Sequence, residues 1–151
     1  MHILMCNDDG ILADGLRHLA SYLSQYYRIT VVAPANEQSA KSHALTTEVP
    51  LKLDACNGED ENPRLYALTG TPSDCMKFGL SYLLTDDMPD LVISGINHGF
   101  NLGSDVLYSG TVSAAMESGF FGIPGLALSV ERYSVERGDE MHPFIHELIE
   151  K

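Results

Sequence analysis

Asp8 and Asp9 stand side by side between Asn7 and Gly10, directly behind the apolar run Ile3-Leu4-Met5. Two ionised carboxylates about 4 Å apart repel by roughly 4 kcal/mol at an effective dielectric near 20, so the pair calls for a compensating charge. Asp followed by Gly serves as a turn or cap after a strand; it also suits a hard divalent cation, which prefers oxygen ligands. A second group of candidates lies in Ser94-Gly95-Ile96-Asn97-His98-Gly99-Phe100-Asn101-Leu102-Gly103. Its glycines permit tight turns and close approach, and the amides of Asn97 and Asn101 offer a neutral oxygen or N–H donors. A third is Tyr108-Ser109-Gly110-Thr111, just before a helical stretch starting near Val112. Hydroxyls and free backbone N–H groups at a helix start make an N-cap, an anion site, or both. The loop Glu37-Gln38-Ser39-Ala40-Lys41-Ser42-His43 adds Ser39 as a further oxygen, Lys41 as a cation, and His43 as either an active-site participant or a loop hydrogen-bonder.

Charge restricts what these loops can do. No Lys or Arg lies between Lys77 and Arg132, and none precedes Arg17. A phosphate bound there would depend on a metal ion and backbone N–H groups for positive potential, with Lys41 the one side-chain exception. Neither G-x-G-x-x-G nor G-x-x-x-x-G-K-[ST] occurs, which disfavours a nicotinamide-dependent oxidoreductase and a nucleoside-triphosphate loop. Nine Lys and Arg against 21 Asp and Glu give a net charge of -12, the wrong sign for gripping a nucleic-acid polymer. No secretory leader or bilayer-length apolar run is visible, so the expectation is a soluble, cytoplasmic protein with no membrane partner. Cys6, Cys56 and Cys75 are odd in number and lack C-x-x-C spacing, which predicts reduced thiols used as small buried hydrophobes.

The elements that must position these residues read as α/β. Ile3 to Cys6 and Ile29 to Ala33 are short apolar runs around a helix over Gly15 to Tyr26, where Leu16, Leu19, Ala20 and Leu23 keep helical spacing. Leu91-Val92-Ile93 and Leu126-Ala127-Leu128 read as further buried parallel strands. Thr71-Pro72-Ser73-Asp74 starts one intervening helix with a cap, a first-turn proline and an acid, and Val112 to Phe121 forms another. The result is a doubly wound, mostly parallel sheet with helices on both faces and its loops at the strands' carboxyl ends. Segments 46–54 and 64–68 predict a projecting β-hairpin with a solvated acidic tip. Asp139 to Lys151 reads as a helix without a stop signal; its His142 and His146 lack the glutamate of H-E-x-x-H and are expected at the surface. Residues 1–151 thus read as a single domain, C-terminally cut short.

With these residues assembled, the chain resembles the SurE survival-protein family of metal-dependent nucleotidases. The resemblance runs in register through Asn7-Asp8-Asp9-Gly10, Val32-Ala33-Pro34, Gln38-Ser39-Ala40, Gly70-Thr71-Pro72-Ser73-Asp74-Cys75, Ser94-Gly95-Ile96-Asn97, Asn101-Leu102-Gly103 and Tyr108-Ser109-Gly110-Thr111. It implies a Rossmann-like core lacking the C-terminal part of the family fold, and hydrolysis of nucleoside 5′- and 3′-monophosphates. It carries ligation of one divalent cation, Mg²⁺ or Mn²⁺ with Ca²⁺ as a crystal substitute, onto Asp8, Asp9, Ser39 and Asn97. Asp8 and Asp9 are also the expected catalytic pair, and phosphate contacts fall on Asn7, Asn101, Ser109, Gly110 and Thr111. A dimer or tetramer is expected where the family's C-terminal segment is present. Two departures stand out: Ser42 where the family's loop suggests glycine, and His98 in place of a small residue after Asn97. The rival reading is a metal- or nucleotide-binding module without turnover.

Overall fold

The computed structural model describes residues 1–151. In chain order the elements are β1 (His2–Cys6), α1 (Asp14–Leu23), β2 (Arg28–Pro34), β3 (Leu53–Ala55), β4 (Arg64–Leu68), α2 (Pro72–Phe78), β5 (Leu91–His98), α3 (Gly110–Gly119), β6 (Gly125–Val130) and α4 (Val135–Ile149). A π-helical turn, Gly79–Leu83, extends α2, and a 3-10 segment, Gly103–Tyr108, leads into α3. The strands form one six-stranded sheet in the order β3-β4-β2-β1-β5-β6. Every pairing is parallel except β3 with β4.

The sheet divides the core in two. Ile3, Met5, Ile29, Val31 and Ile93 pack on one face with Leu16, Leu19 and Leu23 of α1 and Ile145 of α4. Leu4, Cys6, Val32 and Val92 point the other way, against Cys75 and Met76 of α2 and Ala114 of α3. Both faces are covered, which is why β1 and β2 read as unbroken apolar runs rather than alternating ones. Each fully buried Ile, Leu or Met contributes about 1.5–3 kcal/mol. Helix α2 starts as its sequence predicts: the Thr71 hydroxyl accepts from the Asp74 amide at 3.1 Å, and the Asp74 carboxylate accepts from the Thr71 amide at 2.9 Å.

Five local expectations change. Strand β5 does not stop at Ile93 but runs to His98, so Ser94 to His98 belong to the sheet. Gly95 makes this possible: its φ is +129°, and a Cβ there would lie 2.3 Å from the Leu128 carbonyl oxygen. The register shifts between Ser94 and Asn97, and pairing resumes with Asn97 opposite Ser129 and His98 opposite Val130. The hairpin forms at the sheet's edge, with β4 parallel to β2 and only Leu53–Ala55 of its first arm in strand. Helix α4 begins at Val135, where the Ser134 hydroxyl caps the Arg137 amide at 3.3 Å. His142 is buried rather than at the surface, with its ring 5.3 Å from that of Tyr22, because α4 docks on α1. Cys6 and Cys75 are buried free thiols as expected, but Cys56 is exposed at the end of β3. No helix is long and apolar enough to cross a membrane.

Candidate functional site

The carboxyl ends of β1, β2 and β5 open onto a cavity of about 710 Å³. Open α/β sheets place ligands at this edge. Asp8 and Asp9 reach it from the turn after β1, Ser39 from the loop after β2, and Asn97 from the end of β5. Asn101 and Ser109 complete the expected set in the wall.

Asn7, Gly110 and Thr111 support the wall from behind and do not line it. The buried Asn7 amide donates to the Gly10 carbonyl at 3.0 Å and accepts from the Gly10 amide at 3.1 Å, closing the turn that presents the two acids. Thr111, also buried, donates its hydroxyl to Asp8 Oδ1 at 2.5 Å. Gly110 packs against the same side chain, and a Cβ there would sit 2.9 Å from Asp8 Cβ. The start of α3 therefore fixes Asp8. Ser109, which caps α3 by accepting from the Val112 amide at 3.1 Å, is the member of this motif that meets the cavity.

Asn97 donates its amide to the Gly99 carbonyl at 2.7 Å, leaving Oδ1 as its free polar atom. The Asn101 amide donates to Ser129 Oγ at 2.7 Å. Ser39 donates to Glu37 Oε1 at 2.7 Å, and its loop is tied to the acids where the Gln38 amide donates to the Asp8 carbonyl at 2.8 Å. Ser42 sits at φ +54°, the left-handed conformation that suits glycine. Its hydroxyl donates to the Leu107 carbonyl at 2.8 Å, a contact glycine could not make. Lys41 is not part of the wall. Neither is His43, whose Nε2 lies 2.6 Å from Oε1 of the buried Glu117 on α3, so it is a loop hydrogen-bonder.

The cavity is strongly negative. Asp8, Asp9, Asp14, Glu37 and Asp105 line it, and no Lys or Arg does. Burial raises the Asp8 carboxyl above the usual carboxylate range despite the opposing Thr111 hydrogen bond. Burial also raises Asp9, with the neighbouring Asp8 charge adding to it and the His98 backbone opposing. No three His, Cys, Asp or Glu side chains form a ready metal cage. A cation here would draw on the Asp8 and Asp9 carboxylates, Ser39 Oγ and Asn97 Oδ1. This all-oxygen donor set with uncompensated charge fits a hard divalent ion.

Sequence reasoning missed Asp14, Asp105 and Tyr133 in the wall. Asp14 carried a signal, as an acid in the first turn of α1. Tyr133 carried none, since it arrives from the β6–α4 connection by tertiary packing alone.

A family model described as "Survival protein SurE" matches residues 3–151. A protein of Thermoanaerobacter sp. (strain X514) named 5′-nucleotidase SurE is 49% identical over 151 residues, covering 100% of this chain and 59% of that protein. One of the same name from Vibrio vulnificus is 50% identical over 130 residues, covering 86% of this chain and 49% of its own length. The crystal structure of the SurE protein from Aquifex aeolicus superposes with a TM-score of 0.82 at 37% identity, covering 100% of this chain and 61% of that one. The chain thus spans about three-fifths of the length of several relatives it matches end to end.

Proposed function

The chain belongs to the survival protein SurE family, and on that premise we propose that it is a divalent-metal-dependent phosphomonoesterase. Its substrates are nucleoside 5′-monophosphates, and also 3′-monophosphates, cleaved to nucleoside and inorganic phosphate. The observation that carries this reading is the convergence of Asp8, Asp9, Ser39 and Asn97 on one cavity whose wall has no Lys or Arg. The name 5′-nucleotidase borne by relatives such as that of Thermoanaerobacter supports the substrate class.

Asp8, Asp9, Ser39 Oγ and Asn97 Oδ1 would hold Mg²⁺ or Mn²⁺, which when bound would supply Lewis-acid polarisation of the phosphoryl group and the positive charge this wall lacks. Thr111 holds the Asp8 carboxylate in one orientation through its 2.5 Å hydrogen bond, so little reorganisation is needed on binding. Asn7 keeps Asp9 at the cavity by closing the turn on Gly10. Ser109 presents its hydroxyl to phosphoryl oxygens at the start of α3, and Asn101 contributes amide contacts from the opposite loop. Copies of the chain would associate as a dimer or tetramer where the family's C-terminal segment is present.

Incubating the protein with AMP or p-nitrophenyl phosphate, with Mn²⁺ or EDTA, tests the reading. Phosphate release with Mn²⁺ that EDTA abolishes is expected. Release that persists unchanged in EDTA overturns the mechanism, and tight metal binding without release favours the binding-module reading.

A further inference from the structure

Next to the acidic cavity, and sharing His98 with it, is a second cavity of about 520 Å³ lined by His98, Glu131, Arg132, Ser134 and Arg137. It has no hydrophobic side chain in its wall. We propose that it is an anion subsite for a second phosphoryl group of a substrate whose scissile phosphate lies in the acidic cavity. The substrate class this selects is a nucleotide carrying two phosphates. The proposal rests on the phosphomonoesterase reading of the neighbouring cavity.

Local geometry builds the subsite. His98 ends β5 opposite Val130, the last residue of β6, and the Gly99 amide donates to the Val130 carbonyl at 2.7 Å. Glu131 and Arg132 therefore leave the sheet alongside His98. The chain then turns through Ser134 into α4, and Arg137 returns on the first helical turn, donating from Nη1 to the Arg132 carbonyl at 3.3 Å. That bond uses one of the guanidinium's five N–H donors and leaves the rest for a ligand.

What sets these two arginines apart is that they face one cavity together. Arg28, Lys52, Arg64 and Lys151 each have a carboxylate partner. Arg132 and Arg137 have none within 4.0 Å, and neither have Arg17, Lys41 and Lys77, but of these five only Arg132 and Arg137 line this cavity. Glu131 also lines the cavity, but one carboxylate against two guanidiniums leaves it positive. Guanidinium forks match phosphate oxygens in bidentate geometry, and a His ring offers an N–H in either tautomer. His98 then has a use that a small residue after Asn97 could not supply: it is the wall common to both cavities.

The test compares AMP, adenosine 3′,5′-bisphosphate and ADP on the wild type and on Arg132→Gln/Arg137→Gln, whose exposed positions should leave folding intact. Dissociation constants are measured calorimetrically in Ca²⁺, and phosphate release in Mn²⁺. The wild type is expected to bind one of the two-phosphate ligands about tenfold or more tighter than AMP, with the advantage falling to about threefold or less in the variant. The ligand that shows it tells whether the second group sits on the ribose or in the phosphate chain. A wild-type advantage below about threefold for both ligands overturns the subsite, as does an equal loss for AMP, which would mark only a general attraction. Arginine-dependent preference without phosphate release from any of the three nucleotides would uphold the subsite and overturn the phosphomonoesterase reading.

Discussion

Replacing Asp8 with Asn separates the chemical use of that carboxylate from its cost to the fold. The change is nearly isosteric, and the Asn oxygen can still accept the Thr111 hydroxyl that now donates to Oδ1 at 2.5 Å. It removes one of two adjacent charges in a wall that holds five acids and no Lys or Arg. At an effective dielectric near 20, unit charges about 4–8 Å apart repel by roughly 2–4 kcal/mol. Opposing this, the Asp8 carboxylate faces the start of α3, where a negative charge gains about 0.3–1 kcal/mol. Burial, with the Glu37 charge adding to it, raises the Asp8 carboxyl pKa despite the Thr111 hydrogen bond, so the surroundings disfavour the charged form overall. In EDTA the variant should therefore be more stable than the wild type by about 1–3 kcal/mol, or roughly 2–10 °C in Tm for a chain of this size. Saturating Mn²⁺ should reverse the order: a ligand at about 1,000 times its Kd adds about 4.1 kcal/mol to the wild type, whereas the variant gains little. Thermal unfolding with and without Mn²⁺ gives all four numbers. A variant that is less stable than the wild type in EDTA, and equally stabilised by Mn²⁺, would refute the argument that these acids are a strained pair held for a cation.

His43→Ala, Glu117→Gln and the double variant should show a coupling energy of about 1–3 kcal/mol in urea unfolding, because truncating His43 strands a buried carboxylate that it meets at 2.6 Å; independent effects would rule out the pair as a tether. Ser42→Ala keeps the φ of +54° but loses the hydrogen bond to Leu107, so it should cost about 1 kcal/mol. Ser42→Gly relieves the backbone while losing the same bond and should be close to neutral; equal destabilisation by both would contradict this balance. Burial lowers the His142 pKa below its usual 6.5, so the folded protein keeps this ring neutral while the unfolded chain takes up a proton. The contribution is complete above pH 6.5 and is lost as the pH falls below it, by up to about 1.4 kcal/mol per pH unit. Between pH 7.5 and 5.5, wild-type stability should therefore drop more than that of His142→Leu, and parallel losses would contradict the assignment.

Much of the scaffold is readable because its causes are local. Thr71-Pro72-Ser73-Asp74 announces the start of α2 without reference to anything distant, and the spacing of Leu16, Leu19, Ala20 and Leu23 gives the buried face of α1. Strand β5 is misread beyond Ile93 because glycine and asparagine signal a turn, whereas Gly95 continues the strand by letting the Leu128 backbone approach. The burial of His142 follows from docking of α4 on α1, which no window of sequence contains, whereas the start of α4 carries a local signal in the Ser134 cap. The site divides the same way. Asp8, Asp9, Ser39, Asn97, Asn101 and Ser109 meet at the strand ends as expected, since topology alone brings those loops together. Asn7, Gly110 and Thr111 are neighbours of wall residues in sequence, but side-chain direction turns them toward their own turn or toward Asp8.

The two adjacent acids are supported by different parts of the molecule: Asp8 by Thr111 on α3, and Asp9 by the backbone at the end of β5. Substitutions in the half-core beneath α3 can therefore re-aim one carboxylate while the other stays in place. On the proposed cation reading, buried aliphatic replacements alone would then change ion preference between two descendants of this scaffold, with every residue of the wall unchanged.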